Sequence, residues 1–586
     1  MKKTTKTDDI LLNRRHDGEN PTTHESLPLK ESIKAFFKIA IPYWVSKDSK
    51  FAWFQLVLTI CLVISTIVLA KQFNDWYKSF WDFIQEYNLN GFIAGLIMFV
   101  FLATLHVCSV VYKSYVISAM SIRWRKWLSN YYLERYLSKN SYYTIQLTDQ
   151  ETDNPDQRIA EDLNSFVNLS ISLIISILTD LSMLITFVVI LWSLSASVTV
   201  PIMGTEVTLP DGYMLYLAIA YAVVGTLITF IMGKPLVLLN FRQQRFEADF
   251  RYALIRVREN AESVALYKGE EEENKRFKYL FRDVVSNYIY LIKKTKSVGF
   301  FTLSYAQTAV IFPIIIAAPM YFAHIITMGS IIQINSAFGR VQDSLSTLIQ
   351  NFTSLASWKA VIDRLALFEK SINKSENLIL PQITESADSK LRVKNLTVKK
   401  PNGETLLNNY SLELNQGESL LIKGHSGCGK STFIRSLAGI WPFTQGEITL
   451  PKGERLFLSQ KPYMPLGTLK DAICYPSEAS NVTNENVAQL LDSVGLDYLK
   501  DSLNKVELWG QVLSLGEQQR ISFLRAIINK PQILFMDEVT SALDEENETK
   551  MYKMIKELLP NTTIISVGHR STLIAMHSQV VDFSKL

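Results

Sequence analysis

Gly424-His425-Ser426-Gly427-Cys428-Gly429-Lys430-Ser431-Thr432 fits the pattern G-x-x-x-x-G-K-[ST]. In such a loop backbone N–H groups wrap phosphates, the lysine neutralises them and the hydroxyl after it reaches Mg2+. Gly424, Gly427 and Gly429 let the backbone come close, while Lys430 is expected on the β and γ phosphates, Ser431 on Mg2+ and Thr432 on the α phosphate. His425 and Cys428 fill variable positions with no chemistry beyond backbone contact, and with Ser426 they complete the ATP-binding loop. Two further segments narrow the meaning: 513–518, LSLGEQ, and 533–538, ILFMDE. The apolar run 533–536 reads as a buried parallel strand that delivers Asp537 to Mg2+ and Glu538 to the attacking water as general base. The combination implies a motor that binds ATP with Mg2+ and hydrolyses it.

The phosphate loop and LSLGEQ together resemble the ABC ATPase domain, an α/β phosphate-loop fold. The resemblance implies that Gln460, closing 455–460 (RLFLSQ), touches Mg2+ and senses a membrane domain, with the surface that follows, 465–469, facing the coupling elements. It implies a dimer-interface loop at 541–544 and a switch histidine near the γ phosphate at His569, after the strand 563–567. Ser514, Leu515, Gly516 and Glu517 would close over ATP held by a second copy, because a hydroxyl and amides at a helix N-terminus suit a terminal phosphate. One chain then holds half of each site, so a homodimer with two composite ATP sites is expected. Two features depart from the pattern. Leu515 stands where the first glycine of LSGGQ is usual, with Glu517 before Gln518, and 393–403 holds no aromatic to stack on adenine, which leaves base recognition unassigned.

The 586 residues are too many for one core and imply two or three domains. Hydrophobic residues make up 48% of the chain and concentrate before about residue 330, which reads as a membrane domain followed by a soluble one. A net charge of +4 is small for this length and argues against nucleic acid as a partner. Cys61, Cys108, Cys428 and Cys474 lie far apart without metal-ligand spacing. Residues 1–34 read as a disordered cytoplasmic tail: polar, mixed in charge and without the apolar core of a secretory signal.

Six membrane helices are expected within 35–370, at about 52–70, 91–112, 165–194, 213–236, 298–327 and 331–360, before an ATPase domain at 371–586. A tight turn at Met328-Gly329 separates the last two. The sixth carries an apolar stripe, Ile334, Phe338, Val341, Leu345, Leu348, Phe352 and Leu355, opposite a polar face that either lines a wet cavity or emerges as a stalk. Lys and Arg crowd the loops 113–164 and 234–296, whereas 193–212 has none, so both long loops and the ATPase lie on the cytoplasmic side. The loops read as helical extensions that carry the coupling segments: Asn154, Pro155, Asp156, Gln157 and Arg158 in the first, and Glu262, Gly269 and Glu270 in the second, with Gly269 at a break.

With NPDQRI at 154–159, ALYKGEEEE at 265–273 and AAPMYF at 317–322, the chain resembles the SbmA/BacA-type bacterial uptake family in its ATPase-fused form, itself similar to the peroxisomal ABC subfamily D transporters. The resemblance implies an exporter-like (type IV) fold with six helices per half and helices four and five exchanged between halves. It also implies a bacterial inner-membrane location and import of a bulky hydrophilic solute: cobalamin, a bleomycin-like compound or a peptide. Export, fatty acyl-CoA or lipid transport, and an ATP-gated channel are the alternatives. Asp180 sits mid-span, where a carboxylate costs several kcal/mol unless paired or wet; it belongs either to the solute cavity or to a structural pair.

Overall fold

The computed structural model describes residues 27–148, 154–195, 197–202, 205–378 and 380–585; most of the expected tail, residues 1–26, lies outside them. The chain divides into two compact units: Met1–Leu133 with Asn154–Phe368, and Glu134–Asp153 with Glu369–Leu586.

The first unit is helical. It opens with α1 (Leu29–Val45), so six residues assigned to the tail belong to a helix instead. The pattern Ile33, Phe36, Phe37, Ala40, Tyr43 explains why: Ala40 and Tyr43 are buried, Phe36 packs on Phe166 and Trp358, and Tyr43 stacks on Trp124 with ring centroids 5.8 Å apart. Then come α2 (Ser49–Gln85) and α3 (Leu89–Leu137). The Trp76 indole N–H donates to the Gly95 carbonyl at 2.8 Å and ties the two together. The short helix α4 (Ser141–Thr148) belongs to the second unit.

Asn154, in the left-handed region at φ +50°, starts a short helix with Pro155 at its first position, and α5 (Leu163–Ser193) follows. A two-stranded antiparallel hairpin, β1 (Val198–Ile202) with β2 (Thr205–Leu209), leads to α6 (Tyr213–Glu259), α7 (Ala261–Tyr267), α8 (Glu270–Phe322) and α9 (Met328–Glu376). At 1.5 Å per residue α8 is about 80 Å long, far beyond the roughly 30 Å of a bilayer core.

Among the described residues five helical segments are long and apolar enough to cross a membrane, not six: Ser49–Gln85, Leu89–Thr148, Pro155–Ser193, Tyr213–Glu259 and Glu270–Phe322. The expected sixth span lies on α9, whose polar residues, among them Asn335, Arg340, Gln342 and Asp343, keep it below that threshold. Its stripe is buried at Ile334, Phe338 and Val341 and exposed at Leu355. The side chains of 348 and 352 lie outside the described residues.

The turn before α9 occupies 323–327 rather than Met328-Gly329. Gly329 serves close approach instead: a Cβ there would stand 2.1 Å from the Lys78 carbonyl oxygen, while its N–H donates to Asp82 at 3.0 Å. The left-handed residue at the second-loop break is likewise Lys268, at φ +52°, with Gly269 as the N-cap of α8.

The second unit is the α/β domain. Five parallel strands run in the order β11-β6-β10-β9-β8: β6 is Ser419–Lys423, β8 Arg455–Leu458, β9 Ile533–Asp537, β10 Thr563–Val567 and β11 Gln579–Asp582. A second sheet of four strands, ordered β3-β7-β4-β5, comprises β3 (Ile383–Ser386), β4 (Leu391–Lys399), β5 (Thr405–Leu414) and β7 (Thr444–Pro451). One core lies between the sheets around Phe433, Ile448 and Ile565. A second packs helices on the other face of the parallel sheet around Leu491, Phe523 and Met551.

Residues 134–148 pack with this domain. Ser141, Thr144 and Ile145 of α4 are buried, and Leu147 reaches the core between the sheets. Arg135, at the end of α3, forms ion pairs with Glu369 at 2.9 Å and Glu376 at 2.8 Å on the last turns of α9.

Candidate functional site

The buried strand β6 delivers the loop 424–429 to α10 (Lys430–Leu437). Gly424, Gly427 and Gly429 adopt φ of +150°, +85° and +97°, conformations that L side chains rarely adopt. The ammonium of Lys430 curls over its own loop and donates to the carbonyls of Gly424 at 2.7 Å and His425 at 3.0 Å. His425 also meets Ser584 through its backbone N–H at 2.9 Å, and Ser426, Cys428 and Thr432 stand in the same loop and first helical turn.

Parallel pairing of β9 with β8 and β10 brings three distant segments to one edge. Ser431 donates to Asp537 at 2.9 Å, Gln460 to Glu538 at 3.3 Å, and His569 Nε2 lies 3.2 Å from the other Glu538 oxygen. Glu538 sits at φ +49°, with its N–H on the Val567 carbonyl at 3.1 Å, so the chain leaves the strand at the carboxylate. Burial pushes the Asp537 carboxyl above the ordinary carboxylate range, against the hydrogen bond from Ser431; Glu538 raises it further, and Arg435 and Lys430 oppose. The Ser431 hydroxyl, the Asp537 carboxylate and the Gln460 amide are hard oxygen donors of the kind that suit Mg2+.

Ser514 caps α11 (Leu515–Asn529) in a reciprocal box with Glu517, whose carboxylate also takes the Tyr498 hydroxyl. Burial raises the Glu517 carboxyl, yet the bonds from Tyr498 and Ser514 hold it below its ordinary range. Leu515 and Gly516 form the first helical turn. Among the described residues no hydrogen bond joins 514–517 to 424–432.

Sequence reasoning missed Gln519. Buried at 0% exposure, it donates to the Gln460 carbonyl at 2.8 Å and to Ser541 at 3.0 Å, and it accepts from the Ala542 N–H at 3.0 Å. It lies one residue past the quoted motif, and only the fold brings its partners together. Nor does the structure supply an adenine platform from the nearby Tyr410, whose ring packs edge-on against Phe433 and Phe583 in the core.

The sequence-derived coupling residues all fall in the helical unit. Arg158 is held by Asp162, which Arg364 also grips at 2.5 Å, and Gln157 donates to Glu161 at 3.1 Å; Asn154, Pro155 and Asp156 form the turn before them. Glu262 and Glu270 are exposed beside Gly269. Asp180 accepts from Ser176 at 2.9 Å.

Residues 36–322 match the family described as ABC transporter transmembrane region 2, and residues 407–541 match the ABC transporter family. An uncharacterized ABC transporter ATP-binding protein of Haemophilus influenzae is 36% identical over 93% of this chain and 91% of that protein. The inner membrane ABC transporter ATP-binding protein YddA of Escherichia coli is 30% identical over 95% of this chain and 99% of its own length. The lysosomal cobalamin transporter ABCD4 of Homo sapiens is 26% identical over 93% of each. A membrane region and a phosphate-loop ATPase fused in one chain, matched over more than nine-tenths of its length by such relatives, mean that this protein belongs to the ABC transporter family, as an ATP-hydrolysing half-transporter related to subfamily D.

Proposed function

We propose that the chain works as a homodimeric pump in a bacterial inner membrane, its ATPase domains in the cytoplasm, and that it moves a bulky hydrophilic solute such as cobalamin, a bleomycin-like compound or a peptide inward. The observation that carries the pump reading is the convergence of Ser431, Gln460, Asp537, Glu538 and His569 on one strand edge of a chain that also carries membrane-spanning helices.

ATP lies along 424–432 with its phosphates against the three glycines and Lys430. Ser431, Asp537 and Gln460 would hold Mg2+, which would supply neutralisation of the developing phosphate charge. Glu538 takes a proton from the attacking water, and His569 keeps that carboxylate oriented. Ser514 and Gly516 of the second copy complete the site, consistent with their lack of any link to 424–432 within one chain.

Dimerisation draws support from α7, where Leu266 and Tyr267 are 75% and 86% exposed between two long helices. The inner-membrane and hydrophilic-solute parts draw on what the names of YddA and ABCD4 say of those proteins.

The test is flux in proteoliposomes of known ATPase orientation, with labelled cobalamin and a fluorescent cationic peptide, comparing wild type with Glu538→Gln. Loss of preloaded solute from vesicles with outward-facing ATPase domains, in wild type alone, is the expected result. Gain by the same vesicles would make the protein an exporter. Flux of neither, with acyl-CoA or lipid moved instead, would overturn the solute class, and downhill flux after a single ATP-binding event would make it a gated channel.

A further inference from the structure

One face of α5 carries Asn164, Asn168, Ser172, Ser176 and Asp180, every fourth residue over about 24 Å of an otherwise apolar helix. All five line a cavity of about 710 Å³ whose opposite wall is α3, with Lys113 and Arg125. The contact of Trp124 with Phe166 fixes Arg125 near the Asn164 end; Lys113 lies about 18 Å along α3, toward the end that holds Asp180.

Polar groups within an apolar span are tolerated where they line a wet cavity, and uncompensated charge there is expensive. Yet among the described residues neither Asp180 nor Lys113 has an ion-pair partner. Asp180 accepts only from Ser176, and Arg125 spends one N–H on the Ala160 carbonyl at 3.3 Å. Both signs of charge thus face one cavity without neutralising each other, and the amides and hydroxyls between them can donate and accept.

We propose that this face of α5 and α3 recognises the transported solute, and that the solute is dipolar: a cationic group for Asp180 and an anionic group for Lys113 and Arg125, joined by an amide- or hydroxyl-rich body. The inference rests on the pump reading above and narrows its solute. An acyl chain laid along Asn168, Ser172 and Ser176 would strip water from them without replacing its hydrogen bonds. A solute with one sign of charge would leave one wall unpaired.

The probes are a six-residue Ser/Gly peptide with free termini, its N-acetyl form and its C-terminal amide, titrated calorimetrically against the full-length protein in lipid nanodiscs. Wild type binds the free peptide about tenfold or more tightly than either capped form, the scale of one charge-assisted contact. Asp180→Asn erases the preference over the N-acetyl form, and Lys113→Gln erases the preference over the amide.

If wild type binds the three probes alike or binds none, or if the variants keep both preferences, the proposal falls. Should Asp180→Asn fail to fold, Lys113→Gln with the amide probe decides alone. Discrimination without ATP-driven flux of the bound peptide would sink the pump reading and leave the site, whereas flux of another solute without discrimination would do the reverse.

Discussion

The side-chain amide of Gln519 donates to the backbone carbonyl of Gln460 at 2.8 Å. One end of this side chain thereby fixes the residue that reaches Glu538, and the other grips Ala542 in the loop after the catalytic strand. Three segments far apart in sequence share a single buried amide. Any shift of the helix behind LSLGEQ is passed to the residue that holds the Glu538 carboxylate.

Gln519→Ala removes the hydrogen bonds to the Gln460 carbonyl and the Ala542 N–H, each worth about 0.5–1.5 kcal/mol at such part-buried positions. ATPase turnover falls about tenfold or more while ATP affinity changes little, because the hydrogen bonds of Gln519 go to 460 and 541–542 and not to the loop 424–432. Parallel measurement of turnover and of nucleotide binding by fluorescence checks the split.

Asp537→Asn separates stability from function. A carboxyl raised by burial binds its proton more readily when folded, so its contribution is most favourable at low pH and is lost as pH rises through the raised value. At neutral pH the charged group costs stability, and the neutral amide relieves it. The nucleotide-free variant melts at a higher temperature than wild type at pH 7.5, although its Mg2+-dependent ATPase activity is abolished.

His577 sets an acid limit. Burial lowers its imidazole from 6.5 to about 4; the ring lies 2.7 Å from the Leu573 carbonyl through Nδ1 and 2.8 Å from the Ser566 hydroxyl through Nε2. The unfolded chain takes up this proton first, so the stability contributed is complete above pH 6.5 and declines as pH falls toward 4. Between pH 7.5 and 5.5, wild type loses more melting temperature than His577→Gln does.

Gly329→Ala would drive a methyl group into the Lys78 carbonyl oxygen and the Asp82 carboxylate; the carboxylate can turn aside, but the backbone carbonyl cannot. Overpacking of this kind costs about 1–3 kcal/mol or more. Reduced yield and a lower melting temperature of the full-length protein are expected, and Gly329→Ser fares no better.

The phosphate loop, the strand ending in Asp537 and the helix that Ser514 caps were legible because each is a local pattern whose chemistry and backbone shape are written in consecutive residues. Gln519 was not, because its role consists of bonds to two distant segments that meet it only after the parallel sheet forms. The earlier part of the first long loop was not legible, for a related reason. Pro155 and its neighbours announce a turn, which forms, but the packing of α4 with the ATPase domain has no such signal, because its buried Thr144 and Ile145 follow no motif. The turn near Gly329 was displaced because glycine signals both left-handed backbone and close packing, and here packing is the cause.

The strand order has a consequence for how the protein is made. β6, which presents the phosphate loop, is flanked by β10 and β11, and both leave the ribosome more than a hundred residues after it. During translation the nucleotide loop is therefore an unsupported segment with two open strand edges, and slow non-local pairing completes it only after the membrane helices have been inserted. Nascent chains stalled before Thr563 should fail to retain ATP although every residue of 424–432 is already present, so the bilayer region is built before the motor can run.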